Sequence, residues 1–415
     1  MDSSRVIIQK FGGTSVSKPE YREIVAERVA QAVDAGFAPV VVVSAMGRNG
    51  DPYATDTLIN LARSVYSDTA AREMDLLISC GEVISAVIVA NTLKKHGLDA
   101  MVLTGGQAGI ITDTNFNDAM ILRVEPDHLV RHLSEGKIVV VAGFQGVTAN
   151  GDITTLGRGG SDTTAAALGA TLGASVVDIY TDVDGVKTAD PRLVPAARTI
   201  GRMTYDEVTQ MAVQGARVVH PRAVEICARA SVPLRIRSTF ADSSGTLVAS
   251  HPGPGGGWPE LAASRPVSAL AHIAPVTQFR LGVEGEWASG NGILGLFRTL
   301  SGAGVSVDMI SVTPRERTFT VQEDAWERAL RALRSVGLEP EVRKGCAKVS
   351  VIGHGMSGQP GVMARVAEAM AGAGVEIIQT TDSHMTISCL IPSEGLEDAA
   401  RALHEEFGLG GDLAQ

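Results

Sequence analysis

The stretch best equipped for chemistry is Gly157-Arg158-Gly159-Gly160-Ser161-Asp162. Glycines let backbone N–H groups approach an oxyanion closely. The helix-forming run Thr163-Thr164-Ala165-Ala166-Ala167-Leu168 behind them supplies a helix start with unpaired N–H groups and a partial positive charge. Arg158 can fork onto a carboxylate or a phosphate. Ser161 or Asp162 could be a plain N-cap, but a cap does not explain an arginine set among three glycines, so the stretch reads as an anion cradle. A second candidate lies near the N-terminus, where Val6-Ile7-Ile8-Gln9, a short buried strand by pattern, runs into Lys10-Phe11-Gly12-Gly13-Thr14-Ser15. Glycines expose N–H groups in a nest, and the lysine adds a compact mobile charge suited to phosphate. The spacing is not that of a Walker A loop. A tight turn after a strand is the bland alternative; Lys10 at the strand's carboxyl end favours a ligand, because ligands of α/β sheets gather there.

The surrounding elements must bring these two stretches together. Residues 20–35 have a helical apolar face and are stopped by Gly36. Pro39-Val40-Val41-Val42-Val43 is a β-branched run of the kind buried on both faces of a sheet. The polar loop 48–56 is expected to be mobile and exposed, and Thr55 and Asp56 close it before a helix, where capping is the plain explanation. Residues 75–82 lead into a helix over 83–95, which puts Glu82 at a helix start, favoured by the dipole. Strands follow at 100–103, 137–142 and 175–180, the last ending in Thr181-Asp182-Val183-Asp184-Gly185-Val186-Lys187 and then Asp190-Pro191-Arg192. A helix over 205–215 precedes His220, which reads as a hydrogen-bonded structural residue, and a strand over 232–237 completes the first region. Alternating strands and helices predict an α/β fold with a mostly parallel sheet covered on both faces, its glycine-rich and charged turns on one rim.

At 415 residues the chain needs two or three domains. A net charge of −10 speaks against nucleic acid as a partner. The four cysteines lie far apart and form no CxxC pair, which fits reduced thiols rather than a disulfide framework or a zinc site. The N-terminus holds no apolar run long enough for a signal peptide or a membrane span, so a cytoplasmic protein is expected. Pro, Gly and His crowd residues 250–259, the clearest linker. Beyond it Gly302-Ala303-Gly304-Val305 recurs as Gly372-Ala373-Gly374-Val375, a spacing of 372 − 302 = 70. Each copy follows an amphipathic helix and precedes an apolar strand (307–310 and 377–379), as in a ferredoxin-like β-α-β repeat. With no charged cluster, this region looks suited to sensing or pairing rather than catalysis.

Lys10–Ser15, Gly157–Asp162 and Thr181–Gly185 with Asp190-Pro191-Arg192 closely resemble the signatures of the aspartate kinases. Residues 45–56 and 382–388 resemble the diaminopimelate-sensitive Bacillus-type branch. The resemblance implies the amino-acid kinase fold over 1–249, a linker over 250–264, and tandem ferredoxin-like ACT domains over 265–340 and 341–415, with terminal segments free to interleave. It implies transfer of phosphate from ATP, with Mg2+, to the β-carboxylate of L-aspartate, and regulation by an amino-acid effector: diaminopimelate, lysine or threonine. It also implies a homo-oligomer assembled through the ACT domains. By the same resemblance Lys10 would hold the ATP phosphates, and Asp162 would orient Lys10 or the attacking carboxylate. Thr55, Glu82, Arg158, Gly159, Gly160 and Ser161 would hold aspartate, with Arg158 on its α-carboxylate and Glu82 facing its ammonium. Gly12, Gly13, Ser15, Thr181, Asp182, Lys187, Arg192 and Arg217 would line the nucleotide; no resident metal ligand is implied. Asn291, Gly292, Asp308, Gln359 and Gln379 would bind the effector. The chain departs from the family pattern with Lys187 for a frequent tyrosine, which removes an adenine-stacking ring, and Arg217 for a lysine. Ser289-Gly290-Asn291-Gly292 stands in the first ACT copy where a Pro-Gly turn is common.

Overall fold

The computed structural model describes residues 5–216, 218–250, 266–288, 290–354, 356 and 359–411. The chain divides into two compact units: one comprises 5–186, 199–212 and 218–250, the other 187–198, 213–216 and the described residues from 266 on. The expected linker lies, apart from Ser250, outside the described residues.

In the first unit, β1 (Val6–Phe11), the single turn α1 (Gly13–Val16), α2 (Pro19–Asp34) and β2 (Ala38–Val43) open the chain. Next come α3 (Thr55–Val65), α4 (Ala71–Lys95), β3 (Ala100–Leu103), β4 (Ile110–Thr112), β5 (Ile121–Val124) and α5 (Asp127–Ser134). β6 (Ile138–Ala142), β7 (Gln145–Val147), β8 (Ile153–Thr155), α6 (Gly160–Leu172), β9 (Val176–Thr181) and β10 (Arg202–Thr204) follow. α7 (Tyr205–Val213), α8 (Pro221–Ala230), β11 (Leu234–Ser238) and β12 (Thr246–Ala249) come last.

Eight strands form the main sheet in the order β10-β12-β11-β9-β1-β2-β6-β3. Every pair from β11 across to β3 is parallel, and β12 turns antiparallel on β11. Val40–Val43 and Ile138–Ala142 are buried along their whole length, as β-branched strands are when helices cover both faces. The register sets Lys10 opposite Val42 of β2 and Ile179 of β9. The turns after β1, β2, β6 and β9 therefore leave from one rim, as the sequence predicts.

α6 is buried from Gly160 through Gly169, which only small side chains allow. At Gly169 a Cβ would lie 2.4 Å from Val177 Cγ2. Gly159 precedes the helix at φ +70° and Gly173 ends it at φ +59°, both left-handed conformations that glycine adopts without penalty.

Two features differ from the sequence reading. α4 is one continuous 25-residue helix, so Glu82 is in mid-helix and not at a helix start. Gly81, which suggested a boundary, is there for packing: a Cβ would come within 2.9 Å of both Ala45 Cβ and Tyr53 O. By composition α4 is long and apolar enough to cross a bilayer, but half of its apolar window is buried inside this unit. Second, a four-stranded sheet, β5-β4-β7-β8, stands apart from the main one, and its last strand delivers the chain to Gly157. Its three- and four-residue strands are too short to show periodicity.

The second unit contains β13 (Ala269–Gly282), α9 (Gly290–Gly302), β14 (Asp308–Val312), β15 (Glu316–Gln322) and α10 (Trp326–Ser335). It continues with β16 (Glu341–Ile352), α11 (Val362–Gly372), β17 (Gln379–Asp382), β18 (Thr386–Pro392) and α12 (Leu396–Glu406). The sheet order is β14-β15-β13-β16-β18-β17. The long strands serve both repeats: Ala269–Ile273 pairs with Lys348–Ile352, and Val276–Gly282 pairs with β15. The repeated Gly-Ala-Gly-Val segments are matching helix ends. Val305 N–H donates to Leu300 O and Val375 N–H to Met370 O, with Gly304 at φ +65° and Gly374 at φ +69°. The strands after them start slightly later than their apolar runs suggest, at Asp308 and Gln379.

A branched side chain at position 169 would wedge α6 off β9. Gly169→Val is expected to lower stability by about 1–3 kcal/mol, the usual cost of overpacking. An unchanged urea midpoint would show that the helix yields at no cost.

Candidate active site

Lys10 closes β1 on the rim, and its Nζ lies 2.6 Å from Asp162 Oδ1 in the first turn of α6. Both side chains are nearly buried. The contact pairs an ammonium with a carboxylate. Asp162 Oδ2 accepts the backbone N–H of His220 at 3.4 Å. His220 caps α8, its Nδ1 accepting from Arg222 N–H, and its ring occupies the space that a Cβ on Gly159 would need. His220 is structural, as expected.

The two signature stretches open onto one cavity of about 940 Å3, lined by Lys10, Gly13, Thr55, Glu82, Arg158–Asp162 and the loop after β2. Gly13 is the tight point: a Cβ would sit 2.5 Å from Ala45 O and 2.8 Å from Gly47 O. Gly12 adjoins Lys10 Nζ without lining the cavity. Ser15 departs from its expected role. Its hydroxyl is buried 2.7 Å from Thr239 Oγ1 and its N–H is taken by Gly12 O, so it supports the turn rather than facing a ligand. Thr55 is the first residue of α3 and lies on the cavity wall. Arg158 is exposed and makes no hydrogen bond or ion pair among the described residues.

Glu82 is the electrostatic centre of the opposite wall. It is buried, its Oε1 accepts the Ala45 N–H at 3.0 Å, and its Oε2 has no partner among the described residues. Burial pushes its pKa up to about 8, only partly opposed by the Ala45 N–H. A carboxylate denied water in this way is primed to receive a cation.

Asp75, two turns earlier on the same face of α4, was not singled out from the sequence. Its buried carboxylate accepts from Asn117 N–H, from Thr155 N–H at 2.8 Å and from Thr155 Oγ at 2.6 Å. It thereby fixes the end of β8 that leads into Gly157 and Arg158. An acidic residue in an apolar run was the only signal.

On the rim beyond Lys10, Thr181 Oγ1 donates to Asp182 Oδ1, and Asp182 pairs with Arg48. Lys187 and Arg192 belong to the second unit, where Arg192 is held by Asp190 at 2.6 Å. Arg217 lies outside the described residues.

The profile of the amino acid kinase family matches residues 5–238, and that of the ACT domain matches residues 341–405. Aspartokinase 1 of Bacillus subtilis (strain 168) is 45% identical over 98% of this chain and 99% of its own. The chain belongs to the aspartokinases. Two solved structures of E. coli aspartokinase III, each 27% identical, cover 97% of this aspartokinase chain. One, in complex with aspartate and ADP (R-state), gives a TM-score of 0.77 over 99% of its length. The other, in complex with lysine and aspartate (T-state), gives 0.76 over 100%.

In the second unit of this aspartokinase, Asp308 and Gln379 are brought together and the other expected effector residues are not. Lys348, nearly buried, pairs with Asp308. Gln379 accepts from Gln278 Nε2 at 2.8 Å and donates to Met309 O. The expectation of a region without charged groupings is therefore corrected: Lys348 within Cys346–Ile352 marked the pair. Asn291 and Gly292 start α9, and Gln359 precedes α11.

Because folding raises the pKa of Glu82, the folded chain holds a proton that the unfolded chain releases. That stabilisation is complete below about pH 4.5 and is lost as pH rises through about 8. Urea midpoints should fall across that window in the wild type, and Glu82→Gln should flatten the slope. An equal slope in both would place the titration elsewhere.

Proposed function

We propose that Lys10, Glu82 and Arg158 assemble the transfer of the γ-phosphoryl group of MgATP to the β-carboxylate of L-aspartate, giving ADP and 4-phospho-L-aspartate. One observation carries this reading: a lysine, an arginine and a buried carboxylate, the last two each with an atom that has no partner among the described residues, line a single cavity. Arg158 forks onto the α-carboxylate while Glu82 receives the ammonium, which leaves the β-carboxylate pointing toward Lys10. Thr55 and the Gly159–Ser161 turn close around the amino acid. The attacking carboxylate is already ionised at neutral pH and needs no general base. The work left to the chain is alignment and charge neutralisation along an in-line path. Lys10 stabilises the transferring phosphoryl, and Asp162 keeps its ammonium aimed. Gly12, Gly13, Thr181 and Asp182 flank the phosphates, and Lys187, Arg192 and Arg217 act on the nucleotide by the family resemblance. Magnesium enters with the triphosphate as part of the substrate. Four unpaired cysteines suit a cytoplasmic setting.

A coupled assay with MgATP and either aspartate or glutamate tests this directly: turnover with aspartate alone is expected. Lys10→Ala should cost roughly 10²–10³ in kcat. A variant keeping more than a tenth of wild-type turnover removes Lys10 from the transfer step.

We further propose that the second unit binds an amino-acid end product, with diaminopimelate first and lysine and threonine behind it. Asp308 and Gln379, gathered in one polar cluster with Lys348 and Gln278, support that reading. Ile310 and Val312, exposed on the end strand β14, suit pairing of these units between subunits. Coupling of about 1–3 kcal/mol would give inhibition of roughly 5- to 150-fold. The three amino acids, titrated singly and in pairs at subsaturating aspartate, should reveal it. No inhibition at millimolar levels by any of them would remove the sensing role.

A further inference from the structure

Lys10 arrives at the phosphate end of the cavity already matched by Asp162, so the two together contribute almost no net charge. A transferring triphosphate brings several negative charges. Among the cavity-lining cations Arg48, in the loop between β2 and α3, is tied to the rim beside Lys10. Its Nε donates to Thr14 Oγ1 at 3.1 Å, and its Nη2 lies 2.8 Å from Asp182 Oδ2. One guanidinium thus touches the turn after β1 and the end of β9.

The loop that carries it also borders the residues proposed to hold the amino acid. Ala45, three residues earlier, holds Glu82, and Thr55, at the loop's far end, lies on the same wall. The backbone around Arg48 is tied internally. Arg48 N–H donates to Asp51 Oδ2 at 2.8 Å, Asp51 N–H returns to Arg48 O at 2.9 Å, and Gly50 N–H donates to Thr57 Oγ1. Gly47 at φ +88° and Gly50 at φ +99° take turns that a side chain would strain. The base of Arg48 is therefore fixed, and its exposed side chain is held by two contacts, to Thr14 and Asp182. Its present partner holds it loosely, since both side chains are largely exposed and such pairs contribute about 0–1 kcal/mol. A phosphate offers the same guanidinium a forked, charge-assisted contact.

We propose that Arg48 exchanges Asp182 for the γ-phosphate of bound ATP and neutralises the phosphoryl group as it moves. This inference rests on the phosphotransfer reading above. The bond from γ-phosphorus to the β,γ-bridging oxygen breaks, its electron pair leaving on ADP, while the aspartate carboxylate oxygen bonds to phosphorus. No proton changes hands. Arg48 donates to the equatorial oxygens, which carry the charge in transit.

Two measurements on the full chain test this, and they fail separately from the phosphotransfer reading. Binding of a non-hydrolysable ATP analogue and of ADP to wild type, Arg48→Met and Arg48→Lys needs no turnover. Arg48→Met is expected to weaken the ATP analogue about 10-fold and ADP less than 2-fold, with Arg48→Lys intermediate. In steady-state kinetics Arg48→Met should lower kcat by roughly 10- to 10³-fold, with the aspartate KM within 2-fold and the melting temperature unchanged. Equal losses for ATP analogue and ADP, or a kcat within 2-fold of wild type, would overturn the proposal and leave Arg48 as a surface ion pair. If wild type turns over no aspartate, the phosphotransfer reading fails, and the ATP/ADP comparison still decides whether Arg48 reads the γ-phosphate.

Discussion

The contact between Lys10 and Asp162 is the constraint around which the first unit is arranged. It joins the carboxyl end of a central strand to the first turn of the most deeply buried helix, and neither side chain can be removed without leaving the other charged and poorly solvated. To bring them together β1 must sit centrally, α6 must lie almost on the sheet, and the chain entering α6 must approach from the rim side. The small residues of α6 meet the second requirement, and the separate four-stranded sheet meets the third.

Charge is placed in this site by burial as much as by pairing. Glu82 is kept out of water by Ala45, Gly81 and the body of α4, so among the described residues the cavity offers one buried acceptor without a partner, together with the exposed guanidinium of Arg158. For Glu82 this is preorganisation in the electrostatic sense: the cost of burying and orienting it is met during folding rather than during reaction.

The sequence displayed the residues of the site more plainly than it displayed their surroundings. Lys10, the glycines and Arg158 announce themselves because chemistry confines those residue types to particular spacings, and the main sheet follows from continuous β-branched runs. Glu82 was visible as a residue, but its environment was misread, since a glycine before it looks like punctuation when it is really a close contact with another element. Ser15 failed for the opposite reason: a hydroxyl in a phosphate-like motif says nothing of a buried Thr239 more than two hundred residues away. Asp75 and Lys348 depend on partners remote in the chain, and only an isolated charge among apolar neighbours hinted at them.

The path of the chain between the two compact units has a consequence for how the protein can be divided. Segments 187–198 and 213–216 interrupt the first unit's sequence yet belong to the second, where Ala189 and Val194 enter the same apolar cluster as Val349 and Leu403. A cut near residue 250 is therefore not a cut between units, because it strands those apolar residues without their packing partners. The first of the two segments begins just beyond Thr181 and Asp182, so the chain that leaves β9 is continuous with the core of the other unit. Gene-level modularity, in which a sensor is exchanged as a block, is closed to this architecture; any successful swap has to carry both inner segments with it.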